Sequence, residues 1–89
     1  MISFEWDPVK SEKNRIKHGI TFEEGREIWN DPNMVEVSSK FELEIERRYL
    51  VIGRIRGKPW TAIITKREDR VRLISVRRSR KSEENIYGP

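Results

Sequence analysis

The stretch that most constrains the fold is Arg70-Val71-Arg72-Leu73-Ile74-Ser75-Val76-Arg77-Arg78. It holds three β-branched residues and neither Gly nor Pro, which reads as a β-strand. Strict alternation puts Val71, Leu73, Ser75 and Arg77 on one face and Arg70, Arg72, Ile74, Val76 and Arg78 on the other. Each face has an apolar middle, as in an inner strand of a sheet. Both ends are cationic, with Lys66, Arg67, Arg70 and Arg72 before the middle and Arg77, Arg78, Arg80 and Lys81 after it. Guanidinium groups fixed on a rigid strand suit phosphate, because their planar fork matches its oxygens and the strand sets where the fork points.

The rest of the chain shares this polarity unevenly. The formal net charge of +4 conceals an acidic half and a basic half. Residues 1–46 carry six Lys/Arg against eleven Asp/Glu, and residues 47–89 carry thirteen against four. A basic half this concentrated points to an anionic partner, most simply nucleic acid. The plainer alternative is a solvated, Arg-rich surface. Eighty-nine residues make one domain, 1–89, with a small core. With no Cys there is no disulfide framework and no thiolate metal site, and a reducing cytoplasm is expected. No apolar run is long enough for a membrane span, and the start of the chain lacks a signal-peptide layout.

In chain order, Ile2, Phe4 and Trp6 alternate with polar residues and predict a short strand. Asp7-Pro8 opens a helix from about Pro8 to His18, with Asp7 as N-cap and Gly19 as C-cap. Val9 and Ile16 are its predicted aliphatic contacts. Thr21-Phe22-Glu23-Glu24 reads as a capping box starting a second helix that presents Phe22, Gly25, Ile28 and Trp29 on one face. Gly25 would let another element approach closely. Strands follow at Met34–Val37, Arg48–Ile55, Pro59–Thr65 and Arg70–Arg78, with a polar connection over Ser38–Glu46 and turns at Arg56-Gly57-Lys58 and Lys66–Asp69. Ser82–Asn85 would begin a short terminal helix. The order β, α, α, then a meander of three or four strands and a helix, predicts a two-layer α+β domain with both N-terminal helices on one face of a mainly antiparallel sheet.

Two segments carry a more specific resemblance. Phe4-Glu5-Trp6-Asp7-Pro8 followed by Asn14-Arg15-Ile16-Lys17-His18-Gly19-Ile20-Thr21-Phe22-Glu23-Glu24 resembles the opening signature of BrnT-type toxins. Arg70–Arg78, with Glu83 or Glu84 and Tyr87 behind it, resembles that family's closing motif. The resemblance covers essentially the whole chain. It implies a RelE-like fold and the toxin half of a bacterial type II toxin–antitoxin pair. It also implies a ribonuclease activity that arrests translation, with RNA as substrate. The implied partner is a ribbon-helix-helix, BrnA-like antitoxin, in a heterotetramer that binds operator DNA through the antitoxin.

RNA can be cleaved without a metal by attack of a 2′-OH on the adjacent phosphate. That reaction needs a base near the 2′-oxygen, an acid near the leaving 5′-oxygen and cations around the phosphorane. A single His excludes a two-histidine pair. Arg72 and Arg77 are the first candidates for stabilising the developing charge. Lys66, Arg67, Arg70, Arg78, Arg80 and Lys81 are candidates for binding the RNA backbone. Each arginine has an alternative reading as the partner of Glu68, Asp69, Glu83 or Glu84. His18 titrates near neutrality and is a candidate acid or base, with the helix dipole favouring its protonated form. It would otherwise cap helix-end carbonyls. Tyr87 is a candidate proton donor or acceptor if guanidinium groups lower its pKa, a role the RelE-like resemblance implies, and would otherwise anchor the tail. Glu23 and Glu24 could supply a carboxylate base, but capping and the helix dipole already explain them. No metal site and no cofactor is expected. Trp6 and Trp29 are read as core and Trp60 as the most exposed Trp, able to stack on a base. The competing function is a non-catalytic module that binds nucleic acid or an acidic protein through the same basic face.

Overall fold

The computed structural model describes residues 2–39 and 46–88. Five strands, β1 (Ser3–Glu5), β2 (Val35–Ser38), β3 (Arg48–Ile55), β4 (Lys58–Arg67) and β5 (Arg70–Arg78), form one sheet in the order β1-β5-β4-β3-β2. The predicted inner strand is therefore β5, between β1 and β4. The pairs β2–β3, β3–β4 and β4–β5 are antiparallel, and β1 joins β5 in parallel. The polar connection predicted at Ser38–Glu46 lies mostly outside the described residues.

The helices start and stop where local chemistry directs. In α1 (Pro8–His18) the Asp7 carboxylate accepts from the Val9 N–H, and Gly19 closes the helix at φ 78°. In α2 (Phe22–Gly25) the Thr21 hydroxyl accepts from the Glu24 N–H while Glu24 accepts from the Thr21 N–H. The chain then tightens into a 3₁₀ turn, Arg26–Asn30. The β3–β4 hairpin turns through Arg56 and Gly57, both at positive φ (51° and 80°), as a two-residue type I′ turn requires.

These helices cover one face of the sheet. Phe22 and Ile28 are buried with Val51, Ile55, Ala62, Ile64, Leu73 and Val76. Burying such a side chain is worth about 1.5–3 kcal/mol. Gly25 is required at the closest approach, since a Cβ there would lie 2.7 Å from Val76 Cγ2. The predicted contacts of α1 are not the observed ones. Val9 and Ile16 are exposed, and α1 instead buries Ser11 and Asn14. Asn14 donates to the Ile20 and Val76 carbonyls and accepts from the Val76 N–H, while Ser11 Oγ accepts from the Phe22 N–H. A polar joint of this kind leaves no apolar period in the sequence.

The second face is partly covered as well, which corrects the two-layer expectation. The helix α3 (Lys81–Tyr87) packs there, with Glu83 bonded to Thr61 and Arg77. Thr61 and its cross-strand neighbour Ile52 are fully buried. The end of this face near Thr65 and Arg72 stays open.

A β-bulge determines which arginines reach it. Pairing of β4 with β5 slips between Ile63 and Ile64, so Ile63 faces Ser75 but Ile64 faces Leu73. Ile74 is the additional residue. Because β4 pairs regularly with β3, Thr61 and Thr65 share a face, and their partners Arg77 and Arg72 share it too. Strict alternation had put these two arginines on opposite faces. The bulge turns the strand over between them, sending Leu73 and Val76 together into the core and Arg72 and Arg77 together out of it.

Candidate active site on the open face of the sheet

The open face carries a row of polar residues across four strands: Arg48 on β3, Thr65 on β4, Arg72 on β5 and Glu5 on β1. Neighbouring strands lie about 4.8 Å apart, so the four positions are adjacent across the sheet. Arg72 Nη1 donates to Glu5 Oε2 at 2.8 Å, and Arg70 Nε lies 3.4 Å from Glu5 Oε1. A groove of about 550 Å³ runs beside the row, and its lining includes Lys10, Arg48, Thr65, Arg67 and Arg72. Glu46 stands at the same groove and accepts two hydrogen bonds from Arg67, at 2.8 and 3.1 Å. Thr65 is buried, and its Oγ1 has no hydrogen-bond partner.

The other end of this face is closed by α3. Arg77 donates through Nη1 and Nη2 to the two oxygens of Glu83, both at 2.7 Å. Glu83 also accepts from the Thr61 hydroxyl at 3.0 Å and the Arg80 N–H at 2.8 Å. Burial alone would raise the Glu83 carboxyl, but the Arg77 guanidinium and these two donors hold it at about 2. Tyr87 donates its hydroxyl to Asp31 Oδ2 at 2.7 Å, and the Arg54 guanidinium lies over its ring. Asp31 also accepts from the Arg54 and Asn33 N–H groups.

The predicted site residues are thus spread over both ends and both faces of the sheet. Arg72, Arg67 and Arg70 are at the groove. Lys66, on the helix-covered face, pairs with Glu36 at 2.7 Å and lies over the Tyr49 ring. Arg77, Tyr87 and the exposed Arg80 and Lys81 belong to the α3 end. His18, at the C-terminus of α1, lies close enough to Arg77 to feel its charge. Thr61 to Thr65 is four residues of strand, which separates Arg77 from Arg72 by about 13 Å. The four residues read as catalytic therefore do not surround one point.

Two protonation expectations are corrected. His18 is held below its ordinary pKa, first by burial and then by Lys17 and Arg77, so the helix dipole does not keep it charged. The Tyr87 phenol is raised rather than lowered, because its hydrogen bond to the Asp31 carboxylate outweighs the Arg54 guanidinium. Trp60 is half-buried against the core, with the Arg78 guanidinium 5.4 Å from its ring centroid, and is no more exposed in class than Trp6 or Trp29. Sequence reasoning missed Arg48, Thr65 and Glu5. The spacing of Thr61 and Thr65, four apart on one strand, was the available signal, but it acquires meaning only with the register of β5.

A family described as the ribonuclease toxin BrnT of type II toxin–antitoxin systems matches residues 6–83. The chain belongs to the BrnT toxin family. No curated protein matches the chain. Membership makes this a ribonuclease toxin with an antitoxin partner, and the BrnT match runs from Trp6 to Glu83 and takes in β2 to β5. Among the described residues of this BrnT chain, no helix is long and apolar enough to cross a membrane.

Proposed function

We propose that the chain is a metal-independent endoribonuclease, one toxin domain with a RelE-like fold, that arrests translation in the bacterial cytoplasm. In this reading a ribbon-helix-helix antitoxin neutralises it, in a heterotetramer that binds operator DNA through the antitoxin. The observation that carries the catalytic reading is the bulge at Ile74, which turns Arg72 and Arg77 onto one face of the sheet. The same turn-over leaves Arg72 at the open groove with Lys10, Arg48 and Arg67, a cation cluster that suits a polyanion, while Arg77 is taken up by Glu83.

The reaction follows from the available groups. A 2′-oxygen attacks the adjacent phosphorus as its proton passes to a base. The P–O5′ bond breaks as the 5′-oxygen takes a proton, leaving a 2′,3′-cyclic phosphate and a 5′-OH. Arg72 stabilises the charge that develops on the phosphoryl oxygens. His18 stands beside Arg77 and Tyr87 donates to Asp31, so neither serves as base or acid for a phosphate held at Arg72. Arg77 is fixed by Glu83, so it orders the α3 end beside the path of the RNA.

The test is cleavage of a defined RNA by the purified chain in EDTA, with the new ends identified. The expected result is a 2′,3′-cyclic end, and Arg72→Ala lowers the rate by about 10²-fold with an unchanged circular dichroism spectrum. RNA binding without cleavage, with or without ribosomes, favours the non-catalytic module instead.

A further inference from the structure

The α3 end contains a finished oxyanion site. Thr61 and Arg77 face each other across β4 and β5, and together they hold the Glu83 carboxylate through the Thr hydroxyl at 3.0 Å and the guanidinium fork at 2.7 Å. The same pair of residue types recurs four residues along β4. There Thr65 faces Arg72 on the same side of the sheet, but nothing accepts or donates at Thr65 Oγ1, although the residue is only 4% exposed. A buried hydroxyl without a partner carries a desolvation cost that Val, of the same shape, would avoid.

The second site differs from the first in charge. Across from Thr61 on β3 stands Ile52, whereas across from Thr65 stands Arg48. Thr65 therefore has a guanidinium strand neighbour on each side, and Arg67 and Lys10 line the same groove. Glu5 occupies Nη1 of Arg72, and a guanidinium has four further N–H groups to offer. Glu46 also lines the groove but is held by Arg67, and among the described residues no carboxylate meets the Thr65 hydroxyl, which favours an external anion there.

We propose that the row Arg48–Thr65–Arg72 binds one phosphodiester of RNA, with the Thr65 hydroxyl donating to a phosphoryl oxygen between the two guanidinium groups. The naming of RNA rests on the ribonuclease reading above, whereas the oxyanion site stands on the repeated Thr–Arg pair. Glu5 keeps Arg72 in place while the site is empty, as Glu83 does permanently for Arg77.

The experiment is a titration of the full chain with inorganic phosphate and, separately, with a 2′-deoxy dinucleotide, which has one phosphodiester and no 2′-OH to react. NMR signals of the Thr65 amide and the Arg48 and Arg72 Nε–H groups report occupancy. Both ligands are expected to shift these signals. Thr65→Val is expected to weaken binding about tenfold while melting no lower than the wild type, and Thr65→Ser to restore it. Equal binding by Thr65→Val, shifts confined to Arg77 and Arg78, or no binding overturns the site, even in a protein that cleaves RNA. Binding of phosphate without the dinucleotide overturns the assignment to RNA. Binding of both at the row by a chain that cleaves no RNA upholds the site and overturns the ribonuclease reading alone.

Discussion

Arg77 and Arg72 extend from one strand onto one face, yet their surroundings give them different work. The carboxylate that meets Arg77 is buried, doubly hydrogen-bonded to it and bonded twice more. Such a pair is costly to break, because removing one partner strands the other charge. Glu83→Ala or Arg77→Ala should therefore lower stability by about 3 kcal/mol in urea titrations, which makes Arg77→Ala a poor test of catalysis. The pH dependence has a definite sign. Glu83 titrates at about 2 in the folded chain against 4.5 for an ordinary glutamate. Its contribution, about 3 kcal/mol, is present above the unfolded value and is lost as pH falls through the folded one. Unfolding free energies measured from pH 5 to pH 2 should drop steeply in the wild type and much less in Glu83→Gln. Pairing of Arg77 with Glu83 was one reading open from sequence, since six residues separate them. Pairing of Arg72 with Glu5, 67 positions away, depends on a parallel strand contact that no local pattern announces.

At the scale of elements, what was legible was what is chemically local. Asp7-Pro8, the Thr21 capping box, Gly19 and the Arg56-Gly57 turn each satisfy their own backbone, and each stands where it was read. The docking of α1 was not legible. Periodicity counts apolar residues, and this helix attaches through an amide that spans both backbone groups of Val76. Asn14→Leu should therefore cost about 3 kcal/mol, since it orphans buried backbone groups, whereas Ile16→Ser should change stability by less than about 0.5 kcal/mol. Thermal denaturation of the two variants separates a polar joint from an apolar one. The bulge leaves no mark in the sequence for a related reason. Alternation along β5 is a property of one strand, and a slip in it is defined only against a second strand.

Over the whole molecule, the sheet joins distant segments, with β1 laid beside β5. Phe4 on β1 faces Val71 on β5 and meets Trp29 edge-on, 4.9 Å between ring centroids. Pairing of such distant segments carries a loop-closure cost and tends to come late in folding. Phe4→Ala should accordingly raise the unfolding rate and leave the folding rate nearly unchanged, with a loss of about 2 kcal/mol. A chevron plot in which the folding limb falls instead would put β1 in the nucleus.

The parallel pairing also sets a timetable. Translation delivers β1 before β3, β4 and β5, and the groove needs side chains from all four. A partly synthesised chain thus owns its arginines without owning the surface that arranges them. For a ribonuclease toxin, the machine that makes it must deliver β5 before the product's surface is assembled.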